Sequence, residues 1–424
     1  MDLDYSNMIF DKIRNYRNIL KNTGYLSIIE IIRLAMPFIA LPYIIQTVGA
    51  ENYGMAVFAQ TVISYFSIFI NWGLDISAVK EVSVNRNNQD ELNKIVSTVI
   101  FIKTILLVIA FCILLTCMWM IPFVASHKIL FLFAFLTCLS EILFPIWFYQ
   151  GIEKMKYLTF IRTTSIIFYT ISVFVFIHEE KDYVYLVLLQ SLGNIIAGFL
   201  SLYLLFVVNR IKLISPSMVS LRTTFTKSFP FFMSRLSVVF NNTMAKTVSG
   251  IFFTMDAVAA FDLAQKIANV ALIPMQMLNQ AVYPHIAKTL NKRFVKQFLY
   301  INVSLSIFVA FIVFIISPFA IHFFAKEQLN VAIDILRILT LWVFVGGVTT
   351  YIGAPVLVSF GYAKPFNMSV VLSTIILLFA YIVMVATRCV NIYNFAYILF
   401  FSEFIILIYR LYYCFKLRIL TFNN

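Results

Sequence analysis

Charged and amide side chains recur at helical spacing inside long apolar stretches of this sequence. Arg235, Asn242 and Lys246 follow one another at intervals of seven and four residues, which places them on one face of a helix. Asp262 and Lys266 share a face of the next apolar stretch in the same way. Such a group could bind a phosphate or an acidic sugar, because arginine and lysine pair with anions and amides hydrogen-bond to hydroxyl groups.

These side chains are informative because charge is costly inside a membrane. A charged group costs about 2.5–3.5 kcal/mol at a lipid-facing helix centre, so these residues should face the protein interior or a water-filled cavity. Bases exceed acids in the set, which suits an anionic substrate, whereas an exporter of drug cations should show an acidic excess. A network of structural salt bridges between helices is the alternative interpretation.

The composition identifies the elements that must position these residues. The chain has 424 residues, of which 62% are hydrophobic and only 12% charged. A soluble domain is about 45–50% apolar and about 25% charged, so a soluble enzyme, a disordered chain and a nucleic-acid-binding module are excluded. Apolar runs of about 20 residues or more indicate membrane-spanning helices. We therefore predict an all-α polytopic membrane protein with about twelve transmembrane helices.

The positions of these helices also predict the orientation of the chain. The apolar runs lie near 24–48, 53–79, 95–119, 129–151, 157–178, 183–208, 229–253, 257–281, 298–324, 331–358, 367–385 and 393–413. An even number puts both termini on one side, where loops and tails carry 20 Lys and Arg residues against 4 on the other. Because basic loops stay in the cytoplasm, both termini are predicted to be cytoplasmic. The formal charge of +13 is therefore mainly a signal of topology.

Two sequence matches predict two related halves. The pattern P-x5-G-x2-K at 145–154 recurs at 355–364, and residues 51–60 resemble 256–265. We expect two pseudo-symmetric six-helix lobes around a central cavity; chance similarity in a biased composition is the alternative. The predicted parts are a cytoplasmic N-terminal segment at 1–23, an N-lobe at 24–208, a cytoplasmic linker at 209–227, a C-lobe at 228–413 and a cytoplasmic tail at 414–424.

Other groups have simpler interpretations. Lys103, Arg162 and Arg410 lie near predicted cytoplasmic helix ends, so we expect their charges to extend to the membrane surface. Asp334 and Arg337, about one helical turn apart, are predicted to form a local ion pair. The five cysteines and four histidines show no spacing typical of a metal or catalytic site, and no P-loop is present. We predict no cofactor, metal or catalytic residue.

Three segments resemble the bacterial O-antigen flippases of the Wzx type, within the multidrug/oligosaccharidyl-lipid/polysaccharide exporter superfamily. They are Pro42–Gly54, Trp72–Ser83 and Pro145–Met155, of which the last is the most specific. Beyond roughly the first 160 residues the resemblance rests mainly on the pattern of helices. Gln46 and Lys80 stand where the family often has arginine, so a phosphate contact is not expected at Gln46.

The resemblance implies a function. Such proteins move an undecaprenyl-pyrophosphate-linked sugar repeat from the cytoplasmic to the periplasmic leaflet of the inner membrane, by alternating access driven by an ion gradient. The bases would bind the pyrophosphate or acidic sugars and the amides would bind the glycan: Arg33, Arg235, Lys246, Lys266, Asn241, Asn242, Gln276 and Asn279. A buried acid would couple transport to the ion gradient, the candidates being Glu30, Asp75 and Asp262.

The expected partners and the alternatives follow from the same comparison. We expect a monomer surrounded by membrane lipids, with a polysaccharide polymerase and a chain-length regulator as candidate partners and no nucleic acid. A multidrug or cation antiporter of the same fold is one alternative, which the basic excess disfavours. A membrane glycan polymerase is the other, and it should carry a sizeable outer domain, whereas the predicted outer loops are short.

Overall fold

The computed structural model describes residues 36–388 and 390–420, and helices dominate this part of the chain, which contains no strand. The helices are α1 Met36–Val48, α2 Ala50–Asn71, α3 Leu74–Val84, α4 Gln89–Met120, α5 Pro122–Ser126, α6 Lys128–Phe135, α7 Ser140–Leu143, α8 Ile146–Gly151, α9 Met155–Phe176, α10 Tyr183–Tyr203, α11 Met218–Phe252, α12 Met255–Thr289, α13 Lys292–Ala325, α14 Val331–Tyr351, α15 Ala363–Ala386 and α16 Ile392–Lys416. A 3₁₀ turn occupies Leu136–Leu139, and π-helical turns extend α10 over Leu204–Val208 and α14 over Ile352–Val358.

Ten segments of the described chain are long and apolar enough to cross a membrane. They are Ala50–Val84, Gln89–Met120, Lys128–Gly151, Met155–Phe176, Glu180–Val208, Met255–Thr289, Lys292–Ala325, Val331–Val358, Ala363–Ala386 and Ile392–Lys416. The protein is therefore a multi-pass membrane protein. Two further helices occupy the remaining predicted positions. They are α1, whose described part is short, and α11, which has 35 residues but is more polar than the ten membrane-spanning segments.

Helix boundaries follow local chemistry. Asn88 begins α4 by accepting a hydrogen bond from the Glu91 amide at 3.2 Å, and Asn291 begins α13 by accepting one from Phe294 at 3.1 Å. Side-chain caps of this kind satisfy amide groups that have no partner within the first turn of a helix. Helix α11 begins at Met218, inside the segment predicted as a linker, because its polar first turns carry no apolar signal.

The chain forms two compact units. Unit 1 contains the described residues through Ile44, together with Ile70–His178 and Val184–Ser228. Its core includes Trp147, Phe148 and Tyr149 of α8, each at most 1% exposed. The phenol of Tyr149 donates a hydrogen bond to the backbone oxygen of Ser201 in α10. The most specific of the resembling segments is therefore a packing element of unit 1.

Unit 2 contains Ile45–Phe69, Glu179–Tyr183 and the chain from Phe229 onward. Its core lies among α12, α13, α14 and α16, where Tyr351 is fully buried and donates to the backbone oxygen of Val295 at 2.9 Å. Most of α2 groups with this unit, although the sequence prediction assigns it to the N-lobe. The predicted lobe boundaries themselves stay a prediction.

Candidate functional site

The candidate site lies in unit 2, where α2, α11 and α12 place three side chains around one carboxylate. Asp262 is almost fully buried, with 3% of its surface exposed. The Nζ atom of Lys246 lies 3.1 Å from Asp262 Oδ1, and that of Lys266 lies 2.8 Å from Oδ2. The Tyr53 hydroxyl donates to Asp262 Oδ2 at 2.6 Å and accepts from Lys266 at 2.8 Å.

This Asp262 cluster has more positive than negative charge. Two ammonium groups and one carboxylate leave a net charge of +1 when all three are ionised. The carboxylate is enclosed, whereas the side chain of Lys266 is 43% exposed and that of Lys246 is 16% exposed. The cluster therefore presents ammonium groups at its open side. Such a group can bind a phosphate or a carboxylate through charge-assisted hydrogen bonds.

A close approach of α2 to α12 brings Tyr53 within reach of Asp262. A Cβ atom built on Gly54 would lie only 1.8 Å from the backbone oxygen of Met255, in the first turn of α12. Only glycine leaves room for two backbones this close. Gly54 therefore positions the neighbouring phenol against the carboxylate.

Helix α11 is held to α2 by hydroxyl groups on the same side of the unit. The Tyr65 hydroxyl lies 2.7 Å from Thr247 Oγ1 and accepts from Thr243 Oγ1 at 3.0 Å. Helix α12 contacts α11 as well, because the Gln265 amide donates to the backbone oxygen of Asn242 at 3.2 Å. These bonds fix the helices that carry the four members of the cluster.

The structure brings only part of the predicted substrate-binding set into this cluster. Lys246 and Lys266 are members. The side chains of Arg235, Asn242 and Gln276 are exposed on the same two helices without contacting Asp262, and Asn241 is half-buried. Arg33 and the predicted coupling residue Glu30 lie outside the described residues.

Asn279 is buried on α12 and is not a member of the Asp262 cluster. The residue is 4% exposed, and its amide nitrogen donates to Thr350 Oγ1 at 3.1 Å. Its amide oxygen accepts from Asn302 at 3.0 Å. In this structure Asn279 therefore links α12 to α13 and α14.

The predicted coupling acid Asp75 lies in unit 1 and is paired with a buried base. Lys103 is 2% exposed, and its Nζ atom lies 2.7 Å from Asp75 Oδ1. The same ammonium donates to the backbone oxygen of Glu141 at 2.9 Å. The prediction that Lys103 extends to the membrane surface is wrong, because carboxyl and carbonyl groups on neighbouring segments satisfy its charge inside the unit.

Arg410 is also buried, so the same prediction is wrong for this residue. It is 6% exposed, and its Nε and Nη1 atoms donate to Ser369 Oγ at 2.9 Å and to the backbone oxygen of Thr349 at 2.8 Å. Its guanidinium carbon lies 4.8 Å from the centre of the Phe366 ring.

The predicted local ion pair of Asp334 with Arg337 is confirmed, because Arg337 Nη1 lies 3.7 Å from Asp334 Oδ1.

Sequence reasoning did not select Tyr53 as a site residue. Tyr53 and Asp262 are 209 positions apart, and no helical spacing connects residues at that distance. The available signal was the Tyr53–Gly54 pair at the start of an apolar run, where a glycine allows close packing beside a polar ring.

Among the described residues, no group of three or more His, Cys, Asp and Glu side chains could hold a metal ion.

Known proteins resemble the chain in both sequence and fold. The model of a family described as polysaccharide biosynthesis protein matches residues 19–290, well over half of the sequence. The chain belongs to this family. The chain is 27% identical over 293 residues to the "Putative O-antigen transporter" of Escherichia coli (strain K12), covering 69% of the chain and 70% of that relative. A relative of the same name from Shigella dysenteriae is 26% identical over 271 residues, covering 63% and 67%.

Solved structures share the fold of this chain at low sequence identity. The lipid II flippase MurJ in an inward closed conformation gives a TM-score of 0.76 at 13% identity, over 93% of this chain and 87% of that one. An inward-facing multidrug resistance MATE family transporter of the MOP superfamily gives 0.70 at 15% identity, over 92% and 98%. The predicted all-helical polytopic fold is confirmed, and so is the predicted resemblance to the O-antigen transporters.

Proposed function

We propose that this protein moves an oligosaccharide linked to undecaprenyl pyrophosphate from the cytoplasmic to the periplasmic leaflet of a bacterial inner membrane. The observation that carries the proposal is the Asp262 cluster, which presents two ammonium groups against one enclosed carboxylate. Two named O-antigen transporters among the relatives, and a lipid II flippase among proteins of the same fold, support a lipid-linked glycan as the substrate.

In this proposal the cluster binds the pyrophosphate. Lys266 is the exposed base and makes the first contact, while Lys246 and the Tyr53 hydroxyl add donors behind it. Asp262 holds the two ammonium groups in place before the substrate arrives, which lowers the ordering cost of binding. The further bases and amides of the predicted set contact phosphate or sugar: Arg33, Arg235, Asn241, Asn242 and Gln276.

We propose alternating access driven by an ion gradient as the mode of transport. Asp262 and Asp75 are the coupling candidates among the described residues, and Glu30 is a third outside them. The polyprenyl tail stays in the bilayer, because transfer of its apolar surface to water would be unfavourable. Both termini face the cytoplasm in this scheme, as the distribution of basic loops predicts.

The alternatives fit the site less well. A multidrug or cation antiporter of the same fold would bring an organic cation to a cluster that already has a positive excess, and like charges repel. A glycan polymerase would need groups that activate a sugar hydroxyl, whereas the carboxylate of Asp262 is enclosed and already bonded to three donors.

Deletion of the gene in the native host separates the three functions. The proposal expects loss of surface polysaccharide together with lipid-linked repeat units retained on the cytoplasmic leaflet, and recovery on expression of the wild-type chain. Single repeat units capped at the cell surface would indicate a polymerase instead. Unchanged surface polysaccharide combined with new drug sensitivity would indicate an antiporter.

A further inference from the structure

One end of unit 2 gathers basic residues that the proposed transport site does not use. They come from three places in the chain: the turn between α12 and α13, the start of α15, and the end of α16 with the residues after it. Lys296 is half-buried and the other six are exposed. We call this set the basic end, and it consists of Lys288, Lys292, Arg293, Lys296, Lys364, Lys416 and Arg418.

A single hydrophobic cluster brings these three places together. It contains Ile286 of α12, Val295 of α13 and Cys414 of α16, and Phe294 and Phe366 pack against it. Each of the seven bases lies within two positions in sequence of a residue that is in this cluster or packed against it. The bases therefore surround one packed core, although up to 130 positions separate them in the chain.

The basic end has no acidic counterpart nearby in the sequence. After Asp262 the sequence contains three acids, and two of them, Glu327 and Asp334, lie between the end of α13 and the first turn of α14. That is the opposite end of α13 from Lys292. The third, Glu403, is 13 residues before Lys416, which is about 20 Å along α16.

The remaining acids of unit 2 cannot neutralise the basic end either. Asp256 is in the first turn of α12, at the other end of that 35-residue helix from Lys288. Helix α2, which begins with Glu51 in its first turn, approaches α12 at the same far end, where Gly54 meets the Met255 backbone.

The bases have no other source of neutralising charge in the unit. In the described chain none of the seven forms an ion pair with an acidic side chain. Residues 1–35 contain five bases and four acids, so their sum would add to the positive charge and not cancel it. The basic end is therefore a surface for an anionic ligand.

The neighbouring aromatic side chains indicate that this ligand is a lipid headgroup. Lys416 Nζ lies 5.7 Å from the centre of the Tyr412 ring, which is 56% exposed. Tyr300, about one turn after Lys296 on α13, is 58% exposed. Exposed tyrosines beside lysines are typical of the headgroup layer of a membrane. About four to eight bases at such a position attract anionic lipids, and each strengthens binding about fivefold.

We infer that the basic end binds the phosphate groups of anionic glycerophospholipids in the adjacent leaflet. The same phosphate chemistry occurs in undecaprenyl phosphate, so the test must separate these two sources. The inference does not depend on the proposed flippase function, because none of the seven bases belongs to the Asp262 cluster and lipid binding requires no transport.

Native mass spectrometry of the purified full chain tests the inference by titration with four probes in turn: phosphatidylglycerol, zwitterionic phosphatidylethanolamine, undecaprenyl phosphate and polyglutamate. The test variant combines Lys288→Gln, Lys292→Gln, Arg293→Gln and Lys296→Gln. We expect phosphatidylglycerol to bind the wild type tightest of the four probes. It should bind the variant at least about tenfold more weakly, since each base contributes about fivefold. Phosphatidylethanolamine should bind both proteins alike.

The matched control removes the same number of exposed bases from unit 1, so its net charge changes equally. It combines Lys156→Gln, Lys212→Gln, Arg222→Gln and Lys227→Gln, and it should lose much less affinity for phosphatidylglycerol.

A second variant, Lys364→Gln with Lys416→Gln, removes bases from α15 and α16 and should weaken binding in the same direction but by less. Thermal unfolding of each variant identifies loss of fold, and this variant decides if the fourfold one does not fold.

Four results would overturn the inference. Equal affinity of phosphatidylglycerol for the wild type and both test variants would show that the basic end holds no headgroup. Equal losses in the fourfold variant and the control would show an effect of net charge alone. Tighter binding of undecaprenyl phosphate than of phosphatidylglycerol, lost in the fourfold variant, would assign the surface to the carrier lipid. Loss of polyglutamate binding without loss of phosphatidylglycerol binding would indicate an acidic protein partner.

Discussion

At the residue scale, the two lysines of the Asp262 cluster have different surroundings. The side chain of Lys266 is 43% exposed and can be hydrated, whereas the side chains of Lys246 and Asp262 are only 16% and 4% exposed. In the proposed function, the pyrophosphate group of the lipid-linked substrate therefore meets Lys266 first. Removal of Lys266 should affect binding, whereas removal of the enclosed carboxylate should affect the fold.

We predict that Lys266→Gln lowers transport by about tenfold or more while the amount of protein in the membrane stays normal. A charge-assisted hydrogen bond contributes about 1.5–3 kcal/mol, and each 1.4 kcal/mol is about a factor of ten. Surface polysaccharide and membrane protein are measured in the deletion strain that expresses the variant. Lys181→Gln, an exposed base paired with Glu179, is the control. Normal polysaccharide with Lys266→Gln would contradict a role in binding.

Asp262→Asn should destabilise the protein more than loss of an exposed acid. The variant leaves Lys246 and Lys266 without their carboxylate, and breaking a buried ion pair costs about 3–5 kcal/mol. Asp334→Asn is the control, because that side chain is 57% exposed and such pairs contribute about 0–1 kcal/mol. The measurement is the thermal unfolding midpoint of each purified variant. Equal midpoints for the two variants would show that the buried ion pairs of Asp262 do not stabilise the fold.

At the element scale, the site exists because α2 packs closely on α12. We predict that Gly54→Ala lowers both protein stability and transport, because its Cβ would overlap the Met255 backbone, which cannot move aside like a flexible side chain. Overpacking of this kind costs about 1–3 kcal/mol or more. Gly346→Ala is the matched control, since its Cβ would meet Leu272 at an ordinary 3.5 Å. Thermal unfolding of the two variants should therefore differ clearly, and equal midpoints would refute the close approach.

The buried Arg410 makes a second prediction about helix packing. Its planar guanidinium donates in two directions, to Ser369 of α15 and to the Thr349 carbonyl of α14. Lysine has the charge but cannot reproduce this fork. Arg410→Lys should therefore lower the thermal unfolding midpoint almost as much as Arg410→Gln. The control Arg86→Lys, in an exposed pair with Glu153, should have little effect. Full stability of Arg410→Lys would show that charge alone is required.

The sequence was sufficient to predict most helices but not their partners. Apolar runs locate helices well, as for α14, whose span with its π-helical turn agrees with the predicted 331–358. They miss helical turns that are polar, which is why α11 begins at Met218, before the run. Lys103 and Arg410 were misplaced for a related reason. A sequence shows how far a residue lies from the end of its helix. It does not show which polar groups on neighbouring helices will pair with the charge of that residue.

At the scale of the whole molecule, composition and charge predict a multi-pass membrane protein, and ten segments of the described chain are long and apolar enough to cross a membrane. Only part of the candidate site could be predicted. Lys246, Asp262 and Lys266 were selected because charges within apolar runs are rare, but their grouping around Tyr53 depends on contacts between helices far apart in sequence. The resemblance to exporters supplied the proposed substrate, a lipid-linked oligosaccharide, which helix periodicity alone could not indicate.

The central claim is that this chain moves a pyrophosphate-linked oligosaccharide between leaflets, and transport by the purified protein tests it most directly. Proteoliposomes would contain the lipid-linked sugar and either the wild type, Lys266→Gln or no protein, with an ion gradient imposed. An impermeant sugar-modifying reagent then reports the fraction in the outer leaflet over time. We predict that this fraction changes faster with the wild type than with Lys266→Gln or without protein. An equal rate in all three, together with wild-type transport of an organic cation, would contradict the claim.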